Sequence, residues 1–339
     1  MAIPNARGYF NLIDSENDRL VISGWILTPQ QELDSFKALI DGELIHKSPL
    51  EKSDQLAEAF PFLPHASRAV FYLSVPYKNP DSLLDIRIIG CSGDKEIAKL
   101  DTWYSQHLKP RLEFPSTLKW RVANNTNNAF FNASCFTSFR NYYEQVQRNT
   151  SAALINRMLD WGCGCGRLTT MFLRGTPIPA IYGCDIDHES IAWCNKNIRG
   201  GYFDVIPPLP PTRYADGLFD LVISNSVFTH LARDVQLKWL EEMRRIIAPG
   251  GLFLASVHGE FAAFFNFNGK IGDALRDDIN DEALDTNLDG VAPKGYYRGT
   301  FQKRAYTERV FGQFFEIVDY VEAGSLNVQD LVVMRKPVT

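Results

Sequence analysis

Leu159-Asp160-Trp161-Gly162-Cys163-Gly164-Cys165-Gly166-Arg167-Leu168-Thr169 is the stretch on which the fold of this 339-residue chain turns. The apolar run ending at Trp161 reads as a strand, the glycines at 162, 164 and 166 as a turn, and the residues from Arg167 onward as a helix. Glycine at such a turn adopts backbone conformations that a Cβ forbids and lets a ligand approach the main chain closely. Nicotinamide and flavin enzymes place G-x-G-x-x-G at the same kind of turn, so the glycines alone decide little. Two neighbouring residues separate the readings. The third glycine of that fingerprint falls here at Arg167, which removes its usual helix-to-strand packing contact. Asp160 stands just before the loop, where a carboxylate repels a pyrophosphate but supports the ammonium of a bound amino acid. Twenty-five residues on, Tyr182-Gly183-Cys184-Asp185-Ile186-Asp187 closes the next apolar run. Asp185 is there suited to gripping ribose hydroxyls, with Asp187 as the alternative. The plainer reading makes both acids helix N-caps.

Outward from this loop, "AIYGCDID", "GLFDLVISNS" and "GGLFLASVH" are short apolar runs separated by amphipathic segments, the alternation of a parallel sheet with helices on both faces. In the segment "DVQLKWLEEMRRIIAPGG" the spacing predicts a helix with Val235, Leu237, Leu240, Met243, Ile246 and Ile247 near one face, ended by Pro249-Gly250-Gly251. Toward the amino terminus "RLVISGWIL", "SFKALIDGELI", "AVFYLSVPY" and "LLDIRIIG" read as strands of a small antiparallel β-sandwich. Asp41-Gly42 there marks a type I′ hairpin. Pro110 and Pro115 bracket a linker before an aromatic helical stretch containing "FRNYYEQ". The expected domains are therefore a β-sandwich at 1–108, a linker and helical cap at 109–150, and the cofactor domain at 151–339. A lid or substrate insert is expected at 258–300.

The segments "LDWGCGCGRLT", "GCDID", "PPLPPTRYADGLFDLVISNSVFTHL" and "WLEEMRRIIAPGGLFLASVHG" together resemble class I S-adenosylmethionine-dependent methyltransferases of the type 11 and type 25 kind. The resemblance implies an α/β fold with a Rossmann-like seven-stranded sheet whose last strand is reversed, and "FEIVDYVEAGSLNVQDLVVMRK" is similar to that closing hairpin. It implies S-adenosyl-L-methionine as cofactor and S-adenosyl-L-homocysteine as product, with the Asp160 loop on the methionine part and Asp185 on the ribose. The candidate cofactor residues are Asp160, Gly162, Cys163, Gly164, Gly166, Arg167, Asp185, Ile186, Asp204, Asn225 and Ser226. One departure stands out: the acid often found beside the adenine has no clear counterpart, because Asp204 falls in a proline-rich stretch.

In open α/β sheets ligands bind beyond the carboxyl ends of the strands, which brings Asn225, Ser226, Phe228, His230 and His258 toward the reaction centre. Methyl transfer leaves the protein to position a nucleophile and remove its proton, and a histidine with a pKa near ~6.5 suits the second task. His230 and His258 are the candidate bases. Candidate substrate contacts are Phe228, Tyr143, Tyr296, Tyr297 and Arg298, with Arg140 and Tyr142 of the cap covering the cofactor. "DTNLDGVAPKGY" matches half of a calcium loop through Asp285, Asn287, Asp289 and Gly290, but its twelfth position is Tyr296 and Pro293 interrupts it, so a solvated turn is expected. The six cysteines do not form two close ligand pairs on separate turns, and no metal is expected.

A net charge of -5 without a basic block gives no nucleic-acid footprint. The absence of a leader-like opening and of any long apolar run points to a cytoplasmic protein without a membrane segment. The amino-terminal module resembles small β-sandwiches on bacterial proteins that build surface polysaccharides, which suggests O-methylation of a small molecule or a sugar in a glycan. The competing readings are a methyltransferase-fold scaffold without turnover and an NAD(P)-dependent oxidoreductase. Nothing in the sequence sets an oligomeric state.

Overall fold

The computed structural model describes residues 3–77 and 82–338; Met1, Ala2 and Thr339, at the outer ends of the expected domains, lie outside them. The chain divides into two compact units, one of Met1–Arg111, Asn127–Asn141 and Leu326–Val328, the other of Leu112–Thr126, Tyr142–Ser325 and Gln329–Thr339.

The first unit contains β1 (Arg7–Glu16), β2 (Arg19–Leu27), β3 (Ser35–Ile40), β4 (Glu43–Pro49), β5 (Glu51–Lys52), α1 (Asp54–Ala59), β6 (Arg68–Pro76), β7 (Leu84–Ser92) and β8 (Lys95–Tyr104). They form two four-stranded sheets, ordered β1-β2-β6-β5 and β4-β3-β7-β8, with antiparallel pairing throughout. In β6 the residues Ala69, Phe71, Leu73 and Val75 are buried while their neighbours are not, the period of two that turns one face to a core. Asp41 and Gly42 have φ of 52° and 84°, the two positive values that a type I′ turn requires.

Two helices come next, α2 (Ser116–Ala123) and α3 (Asn128–Asn149). Within the first unit, Phe139 of α3 meets Trp103 and Phe136 meets Tyr104, with centroids 5.8 and 5.2 Å apart. Arg140, offered by the sequence as cover for the cofactor, is instead buried between Asp85 at 3.1 Å and Asp101 at 3.6 Å.

The second unit runs β9 (Arg157–Trp161), α4 (Arg167–Gly175), β10 (Ala180–Asp185), α5 (His188–Asn197), β11 (Gly201–Val205), β12 (Phe219–Ser224), α6 (Arg233–Ile246), β13 (Ile247–Val257), α7 (Glu260–Asn266), α8 (Ile271–Ala274), β14 (Ile279–Leu284), β15 (Arg298–Gln302), α9 (Arg304–Phe311), β16 (Glu316–Ser325) and β17 (Gln329–Arg335). Its seven-stranded sheet has the order β11-β10-β9-β12-β13-β17-β16. All pairs are parallel except those of β17, which lies antiparallel to both β13 and β16. The expected Rossmann-like sheet with a reversed last strand is therefore present. Strand order reverses between β9 and β12, and the crevice beyond their carboxyl ends is where an open α/β sheet receives its ligand.

Three local expectations are corrected by the fold. In α6 the buried face is Val235, Gln236, Trp239, Leu240, Glu242, Met243 and Ile246, whereas Leu237 is 37% exposed. Leu237 lies about 200° around the helix from Val235, so the core takes Trp239, one turn on from Val235, instead. The helix ends at Ile246, and Ile247 through Gly251 already belong to β13. Asp204 is not in an irregular proline-rich stretch: it sits in β11, opposite Cys184 of β10. Glycines and prolines on both sides hide this edge strand in the sequence, and its five residues are too few to reveal a period.

Candidate active site

Three αL residues shape the loop between β9 and α4: Gly162, Gly164 and Gly166 have φ of 78°, 52° and 75°. A Cβ at Gly164 would stand 2.6 Å from Cγ2 of Val122 on α2, and one at Gly162 would stand 2.2 Å from Cγ2 of Val227. The glycines are thus required by the loop's own conformation and by the side chains packed on it, before any ligand enters. Arg167 opens α4 and is buried, and that helix start has no side-chain cap.

Asp160, at the end of β9, is 2% exposed, and its carboxylate accepts a 2.6 Å hydrogen bond from Thr169 Oγ1 one turn into α4. Asp185, at the end of β10, accepts from the backbone N–H of Gly164 at 2.8 Å and of Asp187 at 2.9 Å. Burial pushes the Asp160 carboxyl up to about 7 and that of Asp185 up to about 6. Asp160 is thereby held away from water, and Asp185 partly so, without the full charge compensation that a carboxylate needs. Asp187 is the N-cap of α5: it accepts from Glu189 N, Ser190 N, Ser190 Oγ and Arg121 Nη1, the last at 2.9 Å. Capping therefore occupies Asp187 and leaves Asp185 the acid of the loop. Beside it, Ile186 is half-buried against the core, and Cys163 is buried with its thiol pushed up by that burial.

Across the switch point, the Tyr142 hydroxyl donates to Ser224 O at 2.9 Å, and Asn225 Oδ1 accepts from Ser325 Oγ at 3.1 Å. Ser226 adopts φ of 65°, its N–H donates to Ser256 Oγ at 2.7 Å, and its hydroxyl accepts from Gln329 Nε2 at 2.7 Å. Phe228 is fully buried, with Trp161 and Phe311 at centroid distances of 5.4 and 5.1 Å. That position leaves it no surface for a substrate, so it acts in packing. Tyr143 turns away along α3 and packs edge-on against Phe172 of α4.

The insert is folded, with β14 and β15 forming an antiparallel hairpin. Both candidate bases hold it: His230 Nδ1 lies 3.0 Å from Arg298 O and His258 Nδ1 lies 3.2 Å from Thr300 O. A carbonyl only accepts, so each Nδ1 carries the proton, and in a neutral ring Nε2 is then the acceptor. Tyr297 stacks on His230 at 4.0 Å and 14°, and the two histidine rings meet edge-on at 6.3 Å. Burial drives the His230 imidazole down to about 4, so it is neutral at physiological pH. Tyr296 donates to Pro208 O at 2.5 Å, and Arg298 spends its guanidinium on the carbonyls of Gly295 and Asp281. Both brace the hairpin. Asp204 is likewise engaged, accepting from Arg213 and from the Tyr214 hydroxyl.

Some participants carry no signal in the sequence. Arg121 against Asp187, Val122 against Gly164 and Gln329 against Ser226 belong to no motif, and only the fold brings them to these positions. Asp285 reads in the sequence as part of a calcium-like turn, yet its Oδ2 lies 3.5 Å from His230 Nδ1.

Residues 159–255, from β9 to β13, match the family model of the methyltransferase domain. That stretch of the chain is similar to a methyltransferase domain. Among curated proteins it is similar to the rRNA N(6)-adenosine-methyltransferase metl-5 of Caenorhabditis elegans, 25% identical over 105 residues that cover 28% of this chain and 48% of the relative. The chain thus spans about half the length of that relative. Among solved structures, a protein of Pyrococcus horikoshii is 16% identical with a TM-score of 0.46, covering 66% of this chain and 100% of the other. An S-adenosylmethionine-dependent methyltransferase of Methanosarcina mazei is 16% identical with a TM-score of 0.44, covering 58% and 99%.

Proposed function

We propose that the protein transfers the methyl group of S-adenosyl-L-methionine to an oxygen of a small molecule or of a sugar in a glycan. The observation that carries the cofactor half is the pair Asp160 and Asp185, one buried and one half-buried acid at neighbouring strand ends, whose carboxyls desolvation raises to about 7 and about 6. A ligand with an ammonium at one end and ribose hydroxyls further along supplies the compensation that both acids lack. Asp160 then faces the ammonium and Asp185 the ribose, while the uncapped start of α4 faces the carboxylate. The bound cofactor supplies the electrophilic methyl group on a sulfonium, and the chain's part is to orient the acceptor and take its proton. His230, in the loop after β12, and His258, directly after β13, are the candidate bases, and Nε2 is the acceptor atom of the neutral His230 ring.

The sugar or small-molecule acceptor rests on the resemblance of the amino-terminal sandwich and on the acidic net charge of -5, which disfavours a polyanionic substrate. The curated relative's rRNA specificity makes RNA the alternative to test. Calorimetry with S-adenosylmethionine, with NADP as control, tests the cofactor. A tritiated methyl group followed into the sugar, small-molecule and RNA fractions of a cell extract tests the acceptor. Label found only in RNA would sink the glycan reading, and cofactor binding without label in any fraction would make the chain a scaffold.

A further inference from the structure

We propose that Asp285, on the insert, is the positioning residue of the methyl-transfer base, forming with His230 a half-buried acid–imidazole pair. The inference rests on the methyl-transfer reading above and adds to it a group outside the cofactor motifs. Asp285 directly follows β14, and its N–H donates to Tyr297 O at 3.0 Å, continuing the hairpin ladder. Its two carboxylate oxygens have different tasks. Oδ1 accepts from Asn287 N at 2.9 Å and closes the turn, while Oδ2 points at His230 Nδ1, 3.5 Å away. The same Nδ1 lies 3.0 Å from Arg298 O, so one proton faces a carbonyl and a carboxylate together.

The other neighbours of the ring are the stacked Tyr297 and the edge of His258. Neither brings a negative charge, and among the described residues Asp285 is the carboxylate within ion-pair distance of the imidazole. Burial disfavours a positive ring, and the Asp285 charge opposes that effect. Such a pair stabilises the ring at the moment when it becomes an imidazolium.

The chemistry that fits is a neutral nucleophile that gives up its proton only as the new bond forms. The substrate oxygen forms its bond to the methyl carbon, the C–S bond breaks, and its electron pair remains on sulfur, which becomes neutral. The hydroxyl proton passes to His230 Nε2, and the positive charge that leaves sulfur is then carried by the ring beside Asp285. A base that is neutral down to about pH 4 serves this concerted transfer, whereas it would be too weak to ionise an alcohol beforehand.

Asp285→Asn separates this role from turn closure, because asparagine still accepts from Asn287 N and lacks the charge. Imidazole NMR at pH 4 should find the His230 ring about half protonated in the wild type and about a tenth protonated in D285N, the result of a shift of about one pH unit. Turnover of tritiated methyl in extract should fall by about tenfold or more, with the calorimetric affinity for S-adenosylmethionine unchanged and partial recovery in Asp285→Glu. Equal His230 protonation in the two proteins, or equal turnover, would overturn the pair. Failure of the wild type to bind S-adenosylmethionine would overturn the methyl-transfer reading itself, an outcome distinct from a binding-competent D285N that matches the wild type.

Discussion

Asp160 and Asp185 hold their protons into the range where most proteins work, and this has consequences of definite sign. Their folded-state pKa values of about 7 and about 6 lie above the ordinary carboxylate value, so the folded protein binds more protons than the unfolded chain from about pH 4 upward. The stability they contribute is full below about pH 4 and is lost as pH rises toward about 7. Asp160→Asn should therefore flatten the decline in cofactor-free stability across that window, as urea titrations at several pH values would reveal. Affinity for S-adenosylmethionine should move the other way, rising by about a hundredfold from pH ~5.5 to ~7.5 if both acids must ionise to meet the ligand. A pH-independent affinity would remove the acids from the site. Asp185→Ala should weaken that affinity by about 2 to 4 kcal/mol with the fold intact, through loss of charge-assisted hydrogen bonds. At Gly164 even alanine is strained, by about 1–2 kcal/mol for a Cβ at positive φ, and it also meets Val122. Val122→Ala should restore the steric part of that loss and not the conformational part, which thermal melts of the single and double variants would separate.

At the scale of single elements, α6 and the β14–β15 hairpin respond to different tests. Trp239 is buried beside Trp161, with ring centroids 4.8 Å apart, while Leu237 on the same helix faces outward. Trp239→Ala should cost about 3–5 kcal/mol in urea unfolding and Leu237→Ala no more than about 0.5. Equal costs would mean that the helix is rotated. The hairpin is held to the strand ends by both histidines, so its chemistry and its anchorage share the same rings. An unperturbed histidine would put a rise in rate near pH 6.5, but the half-buried His230 is neutral above about pH 5 and gives no such limb. With His230 as the base, a rise in turnover between pH ~6 and ~7 would report the ionisation of Asp160 and Asp185. His230 also fixes a second sign: with its pKa lowered to about 4, the unfolded chain binds the extra proton, and stability is lost as pH falls from about 6.5 to 4.

For the whole molecule, the first half of α3 belongs with the amino-terminal strands, through Trp103–Phe139, Tyr104–Phe136 and the buried Arg140 with its two carboxylates. A chain that begins at Ser116 keeps every cofactor motif, yet it strips these aromatic faces and leaves Arg140 without either acid. Such a chain is expected to be poorly soluble or to melt well below the full-length protein, because the uncovered aromatic face of α3 is left open to water. Full solubility with an unchanged melting temperature would show that this packing contributes nothing to stability.

The glycine loop, the two acids and the alternation of apolar runs were legible in the sequence because each is a local pattern: positive φ demands glycine, and a period of two or 3.6 is written in consecutive residues. Type, order and approximate bounds of most strands came from that, as did the reversed hairpin at the end of the sheet. The short edge strand carrying Asp204 did not, since five residues between glycines and prolines show no period. The outward turn of Leu237 did not either, because hydrophobicity alone cannot say which of several apolar residues a core will take. Contacts distant in sequence were decided by the tertiary structure alone. Asp185 meets the loop at Gly164 while Asp187 caps a helix, Val122 fills the space beside a glycine 42 positions away, and Asp285 reaches His230 across 55 residues. No local rule encodes such pairs. They arise when a parallel sheet brings successive strand ends to one edge and a later hairpin folds over them, so that burial, rather than residue type, sets which acids keep their protons and which histidine stays neutral.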